Sequence, residues 1–438
     1  MIINNFFKPF VALIKDGAVP LDIIFFSFLV ILLPIALITG PAIPDIFLSV
    51  IALYFLLKSI FKNLWVYYRS PIVYGFLLFS LYGVMRSVFS DMPIESLTNE
   101  GSVFYFRYIF FALGVWYLLD HNPYLSKCLL YVIIICVLFV TFDGLYQYFM
   151  GTNFFGNQKY QAGRLTGMFG DEPIIGRYIA YISIFGFALI YQSFTPTKPM
   201  MILSIVFLVI AEVIVFLSGE RSPLFYLTLF SIFVLVYIPQ FRLYRIIGFL
   251  ASILIIFSII QINPQSKQRI VDLSVDQMSG TAVPFLPYSE LHERHYVAAL
   301  KMFQESPIVG MGTNTFRFQC EKEQFQYKSG SCTTHPHHYY FQVLAELGLI
   351  GFVFILSFVG YFLFVGLKQL YLILRGQKEK LIPFEQFLFF MIIFVYWWPL
   401  IPHMSLYNNW NNVLMMLPLG YLLRYLSNNK IKTNGNPK

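Results

Sequence analysis

Charge is what this sequence lacks. Of its 438 residues only 12% are Asp, Glu, Lys or Arg, against about 25% in soluble globular domains. A water-exposed enzyme of this length needs more charge than that on its surface, and a disordered chain needs more still. Cysteine is equally sparse: four residues cannot make a disulfide-built scaffold. No tandem repeat and no low-complexity tract interrupts the chain. No small-residue cleavage site follows the first apolar run, so no cleaved signal peptide is expected. What fills the sequence is hydrophobic: 58% of residues, with 49 Phe and 30 Tyr. The class left is an all-α polytopic membrane protein.

Span-length apolar runs predict about twelve transmembrane helices, at 21–39, 43–61, 72–88, 103–119, 128–149, 174–192, 200–217, 223–239, 245–262, 344–367, 385–401 and 413–426. Residues 6–14 are amphipathic and are expected at the interface. The formal charge of +8 and pI near 9.1 would suggest nucleic acid in a soluble domain. In a membrane chain they point to basic anchors instead, and no nucleic-acid partner is expected. With the N-terminus inside, the short inner segments hold Lys8, Lys15, Lys58, Lys62, Arg69, Lys127, Lys198, Arg242 and Arg245. Lys368, Arg375, Lys378, Lys380, Arg424, Lys430, Lys432 and Lys438 join them. Both termini are therefore expected in the cytoplasm. The expected organisation is residues 1–262 with nine helices and an outside loop at 150–173, a large outside loop at 263–343, three helices within 344–426, and a frayed tail at 427–438.

Arginine near a membrane is costly and marks candidate sites. Arg221 follows the break Ser218-Gly219-Glu220, and Pro223 suits the first turn of a new helix. Its guanidinium and the free N–H groups of that turn favour an anion; the alternative is a snorkelling anchor beside Glu220. Arg164 lies among glycines that allow close backbone approach. Asp171 and Glu172 are expected to cap the sixth helix. Arg177 and Arg107 lie inside helix ends and need either a partner or a ligand. Five of the seven histidines, His292, His295, His335, His337 and His338, fall in the large loop, and His403 is in the last outside loop. His335-x-His337 is not the helical i, i+4 pair of a zinc site and no carboxylate stands at ligand spacing, so a general base or orienting role is expected rather than a metal, with a structural role the alternative. Cys320 and Cys332 can close the loop with a disulfide in an oxidising compartment. Cys128 and Cys136 lie inside a span.

Three motifs in order carry a resemblance. Arg221-Ser222-Pro223-Leu224-Phe225 precedes the long loop, and the stretch from Tyr296 through Pro307 to Gly310-Met311-Gly312 lies within it. His337-His338 followed by Gly348-x-x-Gly351 closes it. Over residues 150–365 this resembles the bacterial O-antigen ligase and polymerase superfamily. The chain departs from the family pattern at Tyr296, Phe225 and His338, where Trp, Leu and a smaller polar residue are usual. The resemblance implies a C-type glycosyltransferase-like fold in the bacterial inner membrane, with a periplasmic active site and no metal or other cofactor. It implies a glycan donor on undecaprenyl pyrophosphate and a lipid A–core sugar hydroxyl as acceptor, or a second lipid-linked glycan in a polymerase. A transporter of lipid-linked sugars is the rival of another class. The implied roles are Arg221 and Arg294 on the diphosphate, Arg164, Arg317 and His338 in support, and His337 at the acceptor hydroxyl.

Overall fold

The computed structural model describes residues 9–11, 17, 19–98, 102–195, 197–238, 240–279 and 289–434. The interfacial reading of residues 6–14 falls largely outside these. Every predicted span forms a helix: α1 (Leu21–Ala36), α2 (Ala42–Phe61), α3 (Pro71–Val88), α4 (Arg107–His121), α5 (Leu125–Met150), α6 (Ile175–Ser193), α7 (Lys198–Leu217), α8 (Arg221–Tyr237) and α9 (Arg242–Ile262). After the loop helix α10 (Glu290–Glu305) come α11 (Tyr339–Leu374), α12 (Phe384–Tyr396) and α13 (Asn409–Asn434). Among the described residues eight helices are long and apolar enough to cross a membrane, and α8 and α12 are shorter apolar helices. Among the described residues β structure is limited to two isolated bridges, Thr152–Gln158 and Tyr160–Arg164. The molecule is an all-α polytopic membrane protein.

Burial divides the helices by role. The span window of α6 is 89% buried, whereas that of α9 is 17% buried, so α6 is the central post and α9 faces outward. Around α6 pack α5, α7, α8 and α12, while α4 is held between α2 and α13. Ion pairs lie at the two ends of the bundle, where charge escapes hydrocarbon. Lys58 pairs with Asp22 at 2.5 Å and Arg424 with Asp120 at 2.7 Å at one end; Arg107 pairs with Asp45 at 2.9 Å at the other. Arg107 also donates to Asn409 Oδ1 at 2.9 Å. Of the two arginines inside helix ends, Arg107 is thus tied to a carboxylate by an ion pair.

Several boundaries differ from expectation for local reasons. The first residues assigned to the fourth span, 103–106, form turns, so α4 starts at Arg107. The tail does not fray at 427, because α13 continues to Asn434. α11 begins at Tyr339, inside the segment assigned to the loop, and its 36 residues are broken at Gly348 (φ 62°). A helix break orphans backbone groups, and the loop supplies them with partners. Met311 and Gly312 donate to Ala345 O and Glu346 O at 3.0 and 2.8 Å, and Leu349 and Ile350 donate to Pro307 O and Ile308 O at 2.9 and 3.2 Å. The two chains approach so closely that a Cβ at Gly310 would overlap Glu346 and Leu347, and one at Gly348 would overlap Ile308. This backbone junction docks the loop on α11. Above it a small core of Ala298, Ala299, Met302, Phe316, Cys320 and Phe325 holds α10, and Cys320 is disulfide-bonded to Cys332.

Candidate active site

The elbow between α7 and α8 arranges the charge. Gly219 takes a left-handed φ of 75°, turning Glu220 inward, where it is only 5% exposed. Its Oε1 accepts the Gly176 N–H at 2.6 Å, capping α6 from another part of the chain. Asp171 and Glu172 make no side-chain cap there; the acid that fits the open N-terminus comes from the elbow instead. Burial pushes the Glu220 carboxyl above the usual range, while Arg177, Arg164 and the N–H groups of Gly176 and Arg177 pull it down.

Four arginines gather around the elbow. The side chains of Arg269 and Arg164 flank Gly219, where a Cβ would stand 3.3 and 3.5 Å from their Cγ atoms. Arg164 donates to Pro173 O at 2.9 Å. Arg221 donates to Gln277 Oε1 at 2.8 Å and to Arg269 O at 3.4 Å. Arg177, one turn into α6, acts on both Glu220 and Arg164. The Nε atoms of Arg164, Arg221 and Arg269 are buried without hydrogen-bond partners. Burial, and then Arg269 and Arg177 against the opposing pull of Glu220, lowers the affinity of Arg164 for its proton. Among the described residues no ion pair ties any of the four to a carboxylate. Four cations, two of them balanced by one buried carboxyl, with buried donors unused, form a cradle for an anion.

Beside the cradle stands a histidine group. His337 has a left-handed φ of 56°, an uncommon and strained state for this residue. Its carbonyl accepts His403 N–H at 2.8 Å. Its ring lies 4.1 Å from that of His335, 5.4 Å from His295 and 5.6 Å from His292. Burial, then His292, His295 and Arg177, pushes His337 down to about 3. His292 is pushed down to about 4 by burial, then His295, His338 and Arg221. These fields tie the histidines to the cradle: Arg177 reaches His337, and Arg221 reaches His292. Among the described residues no group of His, Cys, Asp and Glu is arranged to hold a metal ion.

The remaining expected site residues divide. Arg317 lies within electrostatic reach of His335. Arg294 does not join the cradle. It pairs with Glu290 at 2.9 Å one turn away and donates to Ser329 O at 2.6 Å, so it fastens α10 to the loop. His338 is packed rather than open, with Nε2 3.0 Å from Pro399 O and its ring against Tyr296 and Phe341. Burial pushes it down to about 4, opposed by that carbonyl. Arg269 escaped motif reasoning because it follows α9 in a stretch with no pattern. Its only signal was its rarity as an outer-side arginine. Glu220 was visible only as a possible partner of Arg221, since a cap contributed across 44 residues leaves no local trace.

Residues 204–356 match the family described as O-Antigen ligase. The matched segment runs from α7 into α11 and contains Glu220, Arg221, Arg269 and the five loop histidines; Arg164 and Arg177 come before it. No curated protein matches the chain.

Proposed function

We propose that this chain, which carries an O-antigen ligase family domain at residues 204–356, transfers a glycan from undecaprenyl pyrophosphate to a sugar hydroxyl of lipid A–core at the periplasmic face of the bacterial inner membrane. The observation that carries this reading is the cradle of Arg164, Arg177, Arg221 and Arg269 beside His337. The acceptor oxygen forms a bond to the anomeric carbon as the bond to pyrophosphate breaks, in one inverting displacement. The leaving group is good without a protonating acid. What the reaction needs is stabilisation of the charge that grows on the diphosphate oxygens, and guanidinium groups with unused N–H donors supply it. The acceptor proton passes toward His337.

In the free protein His337 is too acidic to be a strong base at neutral pH. Part of that depression comes from Arg177, and a bound diphosphate opposes the same field. Donor binding opposes that last part, while burial, His292 and His295 keep the ring low, so His337 orients the acceptor hydroxyl as well as receiving its proton. Arg317 supports the histidines, and Arg294 keeps α10 in place.

A polymerase of the same superfamily, extending a lipid-linked glycan, uses the same chemistry with a different acceptor. Deleting the gene distinguishes the two. A ligase leaves lipid A–core bare while long chains accumulate on the lipid carrier. Single repeats still attached to the core would overturn the ligase reading in favour of the polymerase.

A further inference from the structure

Arg164 differs from Arg177 and Arg221 in what carries it. Those two stand on α6 and α8, whereas Arg164 lies on the loop between α5 and α6, where regular structure is limited to the short 3-10 turns Gln161–Gly163 and Gly167–Phe169 and the two isolated bridges. Such a loop can present a charge at a fixed point only if something outside it holds it in place.

The hold comes from the end of α5. Gln147 is 0% exposed, and an amide side chain can make four hydrogen bonds, two as donor and two as acceptor. All four go to this loop. Its Oε1 accepts the N–H groups of Thr166 and Gly167, each at 2.9 Å. Its Nε2 donates to Asn157 O and to Thr166 Oγ1, each at 3.1 Å. One turn earlier on the same helix face, Asp143 accepts the Phe154 N–H at 3.1 Å. Within the loop, Asn153 Nδ2 donates to Gly167 O at 2.5 Å, and its Oδ1 accepts the N–H groups of Phe155 and Asn157 at 3.0 and 2.8 Å. The outgoing and returning arms of the loop are thus fastened to one helix end. Little slack is left, because a Cβ on Gly167 would stand 2.8 Å from Ile175 Cδ1 and 3.1 Å from Asp143 Oδ2. Arg164 lies two residues before Thr166 in extended backbone, φ −68° and ψ 137°, and its carbonyl accepts the Tyr160 N–H at 2.8 Å. A buried amide is costly unless its groups are met. Here every one is met by the loop that bears Arg164 and none by a neighbouring helix, which is the pattern of a clamp on that loop rather than of helix packing.

We propose that Gln147 is a positioning residue, which sets the Arg164 guanidinium in the cradle and acts on the donor diphosphate through it. Gln147 lies outside the matched segment 204–356, and the proposal rests on the transferase reading given above.

The test is a double-mutant cycle on the affinity of the purified full-length chain for undecaprenyl pyrophosphate, using wild type, Gln147→Leu, Arg164→Ala and the two together. Arg164→Ala is expected to bind about tenfold more weakly, the scale of one lost charged hydrogen bond. Gln147→Leu, which keeps the bulk and removes the clamp, is expected to lose about fivefold or more. The double variant should bind like Arg164→Ala alone, because a residue that acts through Arg164 has nothing left to act through. A merely structural role would instead lower affinity by the same factor in both backgrounds. Should Gln147→Leu fail to fold, Thr166→Val removes one of the four bonds at nearly constant shape and is expected to give a smaller loss, again absent in Arg164→Ala. Wild-type affinity in both Gln147→Leu and Thr166→Val, or a loss that adds in full to that of Arg164→Ala, would overturn the role of Gln147 while leaving the cradle intact. Absence of binding by wild type would overturn the donor reading, and this proposal with it.

Discussion

Glu220 shows what a single side chain does here. One buried carboxyl caps α6 and lies under Arg164 and Arg177, so cations that would repel one another stay together while donors remain free for a ligand. Removing Arg221 or His337 acts on the chemistry rather than the fold. Arg221→Ala and His337→Ala are each expected to abolish transfer, measured as glycan joined to acceptor, while membrane levels stay at wild type. Full activity of either variant would remove that residue from the mechanism. The histidines also make stability depend on pH. His337, His292 and His338 have folded pKa values of about 3, 4 and 4, below the unfolded value near 6.5. Between pH 6.5 and 4 the unfolded chain therefore binds protons that the folded chain refuses. Stability is full above pH 6.5 and falls as the solution is acidified. Thermal unfolding in detergent is expected at lower temperature at pH 5 than at pH 7.5, with a smaller difference in His337→Ala. At this scale the sequence made Arg164, Arg221 and His337 legible because charge is rare and motifs surround them. Arg269 and Glu220 were not legible, since their roles exist only across α6, the α7–α8 elbow and the start of the loop.

Among the elements, α11 and the loop segment at 307–312 are the pair that fixes the site. The break at Gly348 turns a helix into a docking edge, and His337 sits just ahead of that helix. Gly348→Ala places a Cβ against Ile308 at positive φ and is expected to lower stability by at least about 1–3 kcal/mol, with transfer lost alongside it. Gly360→Ala, in the same helix, meets nothing within 4 Å and is expected to be tolerated. Equal unfolding temperatures for the two variants would contradict the docking role. Replacing Cys320 with Ser removes a crosslink worth about 3 kcal/mol in the core that holds α10, so the loop should become protease-sensitive while the span helices remain protected. The Gly-x-x-Gly pattern was readable in the sequence. Its partner at Gly310 was readable only as a turn, because a contact between backbones carries no side-chain signal.

Over the whole molecule, scarcity of charge and length of apolar runs sufficed for the class and the helices, since a bilayer imposes both. The ends of helices were less legible. A span read from hydropathy cannot show that 103–106 is a turn, or that α13 continues past the hydrocarbon as a polar helix. The ion pairs Lys58–Asp22 and Arg424–Asp120 stand at one end of the bundle and Arg107–Asp45 at the other. Metal independence is a further expectation at this scale: transfer by the purified chain should persist in excess chelator. Loss of activity restored by one divalent ion would count against catalysis by arginine alone.

Whether the cradle holds the donor diphosphate is tested by the affinity of purified wild type, Arg269→Ala and Arg294→Ala for undecaprenyl pyrophosphate. A lost charged hydrogen bond costs about 1.5–3 kcal/mol, so Arg269→Ala should bind about tenfold more weakly or worse, and Arg294→Ala should bind like wild type. Wild-type affinity in Arg269→Ala, or an equal loss in Arg294→Ala, would contradict the account.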